Sequence, residues 1–253
     1  MIQIKVDGHL LIPFGGPKWD IDKIKITGVS TNATYFSSET PCVHINKTEK
    51  RAVRLRHLFE VFPDDFSTIE NNDSEIALKN IQQYLKKNCG VQTLSEGGFL
   101  DIYFDYCLSK VRPTEWHYKR YGKDKIPKPF NDLDWVFDAL MPLPQAHLYL
   151  SDPLEKGYSF VPKNMVKVDF GFWTGTEILA VEIDGGSHIG SEAHIRKDRL
   201  LQRAEVKVIH ILNKELLEHG KDVITALLPK EVNKFWEFSE DDYPANPLWK
   251  VPF

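Results

Sequence analysis

The residues with the clearest chemical potential are Lys167-Val168-Asp169-Phe170 and Val181-Glu182-Ile183-Asp184-Gly185-Gly186-Ser187-His188, with twelve residues between Asp169 and Glu182. Strand side chains alternate faces, so Glu182 and Asp184 point the same way, and Asp169 on a neighbouring strand can meet them across a hairpin. Three carboxylates at one sheet edge repel one another unless protons or a cation neutralise them. Hard oxygen ligands with room for water suit Mg²⁺, with Mn²⁺ as a substitute. Gly185 and Gly186 end the strand and leave space for a phosphate. His188 follows four residues after Asp184, where a histidine can shuttle a proton, contact a phosphate or simply be structural. An acidic pair on a strand is commonly a solvated face or a salt bridge. Here, however, the acids interrupt apolar runs (Val168 and Phe170; Ile178-Leu179-Ala180-Val181), where solvation is poor.

Around these residues the chain resembles a known family. Val168-Asp169-Phe170, Glu182-Ile183-Asp184-Gly185, His188, Arg196-Lys197-Asp198, Leu201 and Val206-Lys207-Val208-Ile209 stand in an order and spacing similar to the PD-(D/E)XK nuclease superfamily. The branch they look most like is that of the very-short-patch-repair endonucleases, and the resemblance covers about residues 131–217. It implies metal-dependent hydrolysis of a phosphodiester, with Asp169, Glu182 and the carbonyl of Ile183 as ligands. Asp184 occupies the superfamily's lysine position, as an Asp commonly does in that branch. The basic role is then open to His188, to Lys197, or to a second metal on Asp184. A carboxylate from the first helix, Asp134 or Asp138, often joins such sites. Ala204-Glu205 replaces the glycine expected before the last strand, a departure that touches a turn rather than the chemistry.

The elements that must hold these residues can be read from periodicity and breakers. Asn131 or Asp132 can cap a helix to Leu140. Strands are expected at Ala146–Leu150, Val166–Phe172, Ile178–Asp184 and Val206–Ile211, with a further one near Tyr158–Val161. Trp173-Thr174-Gly175-Thr176 predicts an antiparallel hairpin. A helix is expected over Ser191–Arg203, with Ile195 and Leu200 or Leu201 facing inward, and another from Asn213 to Leu228. Upstream, Ile2–Val6 and Lys23–Thr27 alternate as strands. Val53, Leu58 and Val61 have helical spacing within residues 49–61. A helix from Asp73 or Ser74 to Lys87 would bury Ile76, Ile81 and Leu85 and stop at Gly90. For Phe99–Val111 the pattern does not separate helix from strand.

The 253 residues, 42% apolar and 27% charged, suit a globular chain with a real core rather than a disordered or fibrous one. No run of 18 apolar residues occurs, so no membrane span is expected. The N-terminus lacks a signal pattern, and Cys42, Cys89 and Cys107 are widely spaced, pointing to a reduced, cytoplasmic protein. Cys42 and His44 are too isolated to suggest a metal pair. The net charge of −4 divides unevenly: residues 1–130 carry 19 Lys and Arg against 16 Asp and Glu, the remainder 13 against 20. Seven basic residues fall between Lys110 and Lys128, interleaved with Trp116, His117, Tyr118 and Tyr121. Lys119, Arg120, Lys123 and Lys125 are candidate phosphate contacts, with the aromatics as stacking platforms; the alternative is a solvated linker.

Together these features predict an α/β protein with a restriction-endonuclease-like αβββαβ core over residues 127–253. A smaller α+β module over residues 1–126 would recognise the substrate or a protein partner. The C-terminal aromatics Trp236, Phe238, Trp249 and Phe253 would wrap back on the fold or dock a partner. The expected function is a Mg²⁺-dependent endonuclease acting on nucleic acid, DNA before RNA, in repair, restriction, transposition or phage defence. The rival is a catalytically degenerate nuclease fold serving as a binding subunit.

Overall fold

A computed structural model describes residues 9–15, 24–29, 34–38, 42–46, 51–58, 74–89, 94–125, 131–149, 165–185 and 191–229. The first strands form two antiparallel ribbons. β1 (His9–Pro13) pairs with β4 (Cys42–Asn46), and β2 (Ile24–Val29) pairs with β3 (Thr34–Ser38). The helices α1 (Ser74–Asn88), α2 (Leu94–Lys110) and α3 (Thr114–Tyr121) follow, then a 3-10 helix, Asp132–Asp138. The remainder runs β5 (Leu143–Tyr149), β6 (Met165–Trp173), β7 (Ile178–Asp184), α4 (Glu192–Arg203), β8 (Lys207–Leu212), α5 (Asn213–His219) and α6 (Lys221–Leu227).

The central sheet has the order β5-β6-β7-β8. The first two pairings are antiparallel and the last, β7 with β8, is parallel. A parallel neighbour requires a crossover, and α4 supplies it. The β6–β7 hairpin is the one expected: Thr174 N–H donates to the Glu177 carbonyl, and Gly175 takes the positive φ of 103° that the turn needs. The fold is thus mixed α/β, with seven helices among the described residues.

α2 resolves the ambiguity of the Phe99–Val111 run. It is apolar on most sides because it is buried: Phe99, Leu100, Tyr103, Phe104 and Cys107 are all in the core. Phe99 lies 4.6 Å from Phe170 and Tyr103 lies 5.6 Å from Phe172, ring centroid to centroid, which seats α2 on the β6 face that carries the even-numbered residues. The Tyr103 hydroxyl donates to the Leu140 carbonyl at 2.7 Å, so its burial leaves no polar atom unsatisfied.

Several local expectations are corrected. Of the helix expected over 49–61, residues 51–56 are not helical, residues 57–58 are, and 59–61 lie outside the described residues. Residues 51–54 run extended, Arg54 bridging to Leu140, with Val53 N–H donating to Trp173 O and Leu55 N–H to Ala139 O, before a turn leads into helix at 57–58. The backbone groups of Val53, Leu55 and Arg56 are satisfied by Trp173 and residues 137–141, whereas His57 and Leu58 bond back to Arg54 and Leu55. In α1 the buried stripe is Ala77, Leu78, Ile81 and Leu85, while Ile76 is 50% exposed. In α4 Leu201 is buried and Ile195 is exposed. The helix expected from Asn131 to Leu140 is a shorter 3-10 helix, and the expected last helix breaks in two at Gly220 (φ 51°).

One hydrophobic cluster joins residues from both sides of the proline segment, from Ile12 and Phe14 through Phe99 and Tyr103 to Phe170, Val181 and Ile224. The expected domain boundary itself, the strands at Ile2–Val6 and Tyr158–Val161, the stop at Gly90 and the aromatic C-terminus lie outside the described residues. Among the described residues no helix is long and apolar enough to cross a membrane.

Candidate functional site

The β6–β7 ladder ends at the pair Phe170–Val181. One residue further, Asp169 takes over the role of the backbone: its Oδ2 accepts the Ile183 N–H at 2.8 Å. The strands therefore part where the acids begin, which opens the sheet end around Asp169, Glu182 and Asp184. Glu182 is buried among apolar strand residues, and Lys197 reaches it from α4, Nζ to Oε1 2.6 Å. A lysine on the crossover helix thus stands beside the acid of β7.

The electrostatics record how little compensation these acids have. Burial pushes the Glu182 carboxyl up to about 7; Lys197 opposes this and the Asp169 charge adds to it. Burial also raises Asp169, against the Ile183 N–H, Lys197 and Lys167, while Asp184 raises it further. Asp169 thus acts on Glu182 and Asp184 acts on Asp169, and the nearby cations do not offset burial at either carboxyl.

Asp184 is held differently. Its Oδ2 lies 2.8 Å from His210 Nδ1, and its Oδ1 lies 4.0 Å from His194 Nδ1. His210 sits on β8 opposite Glu182 in the parallel register, and His194 sits in the first turn of α4, whose Ser191 cap accepts the His194 N–H. The sequence reading missed both histidines. The available signal was His194 and Asp198 at i,i+4 spacing on one face of α4.

A second missed group lies on the β5 side. Gln145 stands opposite Asp169 in the β5–β6 ladder, between the pairs Pro144–Phe170 and Ala146–Val168. It holds a positive φ of 50°, uncommon for a side-chain-bearing residue, and its amide donates to buried Glu96 of α2 at 2.8 Å. The Cys89 thiol is pushed up to about 12, by burial first and then by the charges of Glu96 and Asp169.

The helix acids proposed as additional ligands are engaged elsewhere. Asp138 pairs with Arg56 at 2.6 Å. Asp134 accepts from the Ser74 hydroxyl and from the Asn131 N–H, the latter at 2.9 Å. His188 lies outside the described residues, as does Gly186.

The basic segment is no free linker over its described length. α3 is docked through His117, which is buried and stacks 4.0 Å from the Trp135 ring, and through Trp135 Nε1, which donates to Thr114 Oγ1 at 3.0 Å. Lys119, Arg120, Lys123 and Lys125 are exposed. Arg120 lies over the Trp116 and Tyr121 rings, 5.5 Å from each, and Lys123 lies 6.0 Å from the Tyr118 ring.

No family model, curated protein or solved structure matches the chain.

Proposed function

We propose that this chain is a metal-dependent phosphodiesterase, an endonuclease of the PD-(D/E)XK kind, acting on DNA. The observation that carries the proposal is the grouping of Asp169, Glu182 and Lys197 at the splayed end of the β6–β7 hairpin. The β5-β6-β7-α4-β8 order, with its one parallel pair, supports the reading because it is the order the resemblance implies.

The donor set fits a hard divalent cation. Asp169 and Glu182 are both raised by burial first, Glu182 further by the Asp169 charge and Asp169 further by the Asp184 charge, which is the state a bound cation would relieve. Those two carboxylates and the Ile183 carbonyl would hold Mg²⁺ or Mn²⁺. Bound there, the ion would acidify a water and offset charge on the phosphate. The protein's own residues supply the rest. Lys197, next to Glu182, holds a positive charge where the attacked phosphate carries negative charge. The Ile183 N–H fixes the Asp169 carboxylate. The Lys119–Lys125 surface would bind the phosphate backbone away from the cleavage point.

The test is nicking of supercoiled plasmid by the purified chain in Mg²⁺ or Mn²⁺, with a matched RNA alongside. Metal-dependent nicking that Glu182→Gln and Lys197→Ala both lose is the expected result. A wild-type protein that binds DNA and never cleaves it would favour the degenerate binding subunit. Cleavage of RNA alone would change the substrate.

A further inference from the structure

Beside the proposed hard-ion site lies a group of different chemistry, built by the β7–α4–β8 unit. Asp184 ends β7, His194 and Asp198 occupy one face of α4, and His210 lies on β8. The two imidazole rings are 4.8 Å apart, centre to centre. One ligand atom each from Asp184, His194 and His210 fits within 4.8 Å of the others. Asp198 Oδ2 lies on the far side of the rings, 3.6 Å from His194 Nε2 and 3.4 Å from His210 Nε2.

This arrangement frustrates a neutral histidine pair. A neutral imidazole has one N–H and one lone pair. Both rings here meet a carboxylate at each nitrogen, Asp184 at Nδ1 and Asp198 at Nε2. In each ring one of the two contacts must set a lone pair against a carboxylate oxygen. If Asp198 takes both Nε2 protons, both Nδ1 lone pairs converge with the Asp184 carboxylate. A cation at that point removes both mismatches at once. The outer carboxylate then does what such groups do around metal-bound histidines: it fixes tautomer and ring orientation.

We propose that Asp184, His194 and His210 form a binding site for a borderline divalent transition ion of the Zn²⁺ class, with Asp198 as the carboxylate that orients both histidines. Two nitrogens and one oxygen distinguish it from the all-oxygen set of Asp169 and Glu182, and they select softer ions than Mg²⁺. The side chains are partly open, from 11% exposed at Asp184 to 32% at His210, so an ion has an entry path and room for a water as further ligand. The proposal stands whether or not the chain cleaves nucleic acid.

The experiment uses the full purified chain, stripped with a chelator and titrated with Zn²⁺ alone against a chromophoric competitor. The expected result is one Zn²⁺ bound by the wild type, kept by Glu182→Gln and lost by His194→Ala/His210→Ala. Asp198→Asn should weaken it by roughly 10- to 100-fold. Circular dichroism in chelator reports whether the double variant folds; if it does not, the wild type loaded with Co²⁺ decides. Visible ligand-field bands without a near-ultraviolet thiolate band support the site. A thiolate band, absence of Zn²⁺ binding, or a folded double variant that binds as tightly as wild type would overturn it. Zinc bound by a protein that never nicks DNA leaves this site standing and removes the nuclease reading alone.

Discussion

Two pairs of carboxylates, buried except for the half-buried Asp169, sit in this molecule under opposite conditions. Asp134 and Asp138 on the 3-10 helix are 3% and 4% exposed, close to the 6% of Glu182. Around the first pair the chain has placed cations and donors: Arg56 on Asp138, Ser74 and Asn131 on Asp134, and Arg54 on the Asp138 carbonyl. Around Glu182 and Asp169 it has placed one lysine in direct contact, one backbone N–H and further carboxylates, with Lys167 and His210 only as smaller influences. Burial alone therefore does not distinguish a structural acid from a candidate ligand. What separates them is whether opposite charge and hydrogen bonds match the acid, since an under-matched buried acid needs something more to be comfortable at neutral pH.

The largest effect should come from unbalancing the matched pair. Asp138→Ala removes the carboxylate paired with the fully buried Arg56, and breaking such a pair from one side costs about 3–5 kcal/mol. Chemical denaturation should show that loss. Asp169→Asn in the under-matched pair should instead leave stability equal or higher in metal-free buffer, because it relieves like-charge repulsion. A comparable loss in both variants would erase the distinction.

The next effect is on turnover, and it should fall on the other pair. Glu182→Gln is expected to lower plasmid cleavage by roughly 10²–10³-fold or more, the scale of removing one strong electrostatic contact to the transition state. Asp138→Asn, assayed at a temperature where it remains folded, should retain the metal dependence of the wild type. Cleavage unaffected by Glu182→Gln would remove that residue from the site.

The pairs' surroundings also predict opposite pH slopes in chelator. Glu182 is raised from 4.5 to about 7, so the folded state binds the extra proton. Its contribution is present below about pH 4.5 and is lost as pH rises toward 7, by at most about 3 kcal/mol. His57, beside Arg54 and Arg56, is lowered from 6.5 to about 3 by burial first and by those charges. Its neutral Nδ1 accepts the Arg54 N–H at 2.8 Å. That contribution is present above about pH 6.5 and falls away as pH drops toward 3. Stability differences between wild type and Glu182→Gln, and between wild type and His57→Gln, should run in opposite directions between pH 5 and 6.5. Parallel slopes would contradict the electrostatic contrast.

The same contrast explains what the sequence could and could not reveal. The β6–β7 hairpin was legible because its apolar runs, the turn around Gly175 and the acids within it are local signals. Lys197 was one of three candidates for the basic role; only the fold, by laying α4 across the sheet end, brings it to Glu182. Asp134 or Asp138 could be offered as an additional ligand because nothing local reveals that Arg56, some eighty residues upstream, pairs with Asp138, or that Ser74 bonds Asp134. His210 was invisible for the same reason, and His194 showed only its i,i+4 spacing to Asp198; a parallel crossover sets the two histidines side by side. The helical spacing misled at Val53 because Val53, Leu55 and Arg56 find their hydrogen bonds on Trp173 and residues 137–141, a tertiary outcome that overrides periodicity.

The smallest effect concerns a surface far more exposed than either acid pair. α3 is anchored by His117 on Trp135 and by Thr114, whose N–H donates to Asp132 at 2.8 Å. The anchor fixes where Lys119, Arg120, Lys123 and Lys125 project, so the segment presents a defined basic surface rather than a diffuse cloud of charge. If this surface binds a phosphate backbone, the logarithm of the DNA affinity falls with the logarithm of salt, and each lost contact lowers the slope by about 0.9. Replacing the four residues with Ala should therefore flatten the slope and weaken binding at low salt, with little change at high salt. Their exposure makes the change nearly neutral for stability, because they carry no core packing. Measured by fluorescence anisotropy across a salt series, an unchanged slope would assign the segment to solubility and move the nucleic-acid contact to another face. A flattened slope in a protein whose Mg²⁺-dependent cut remains intact at saturating DNA would show that α3 binds and the β6–β7 end reacts, the division of labour the two regions suggest.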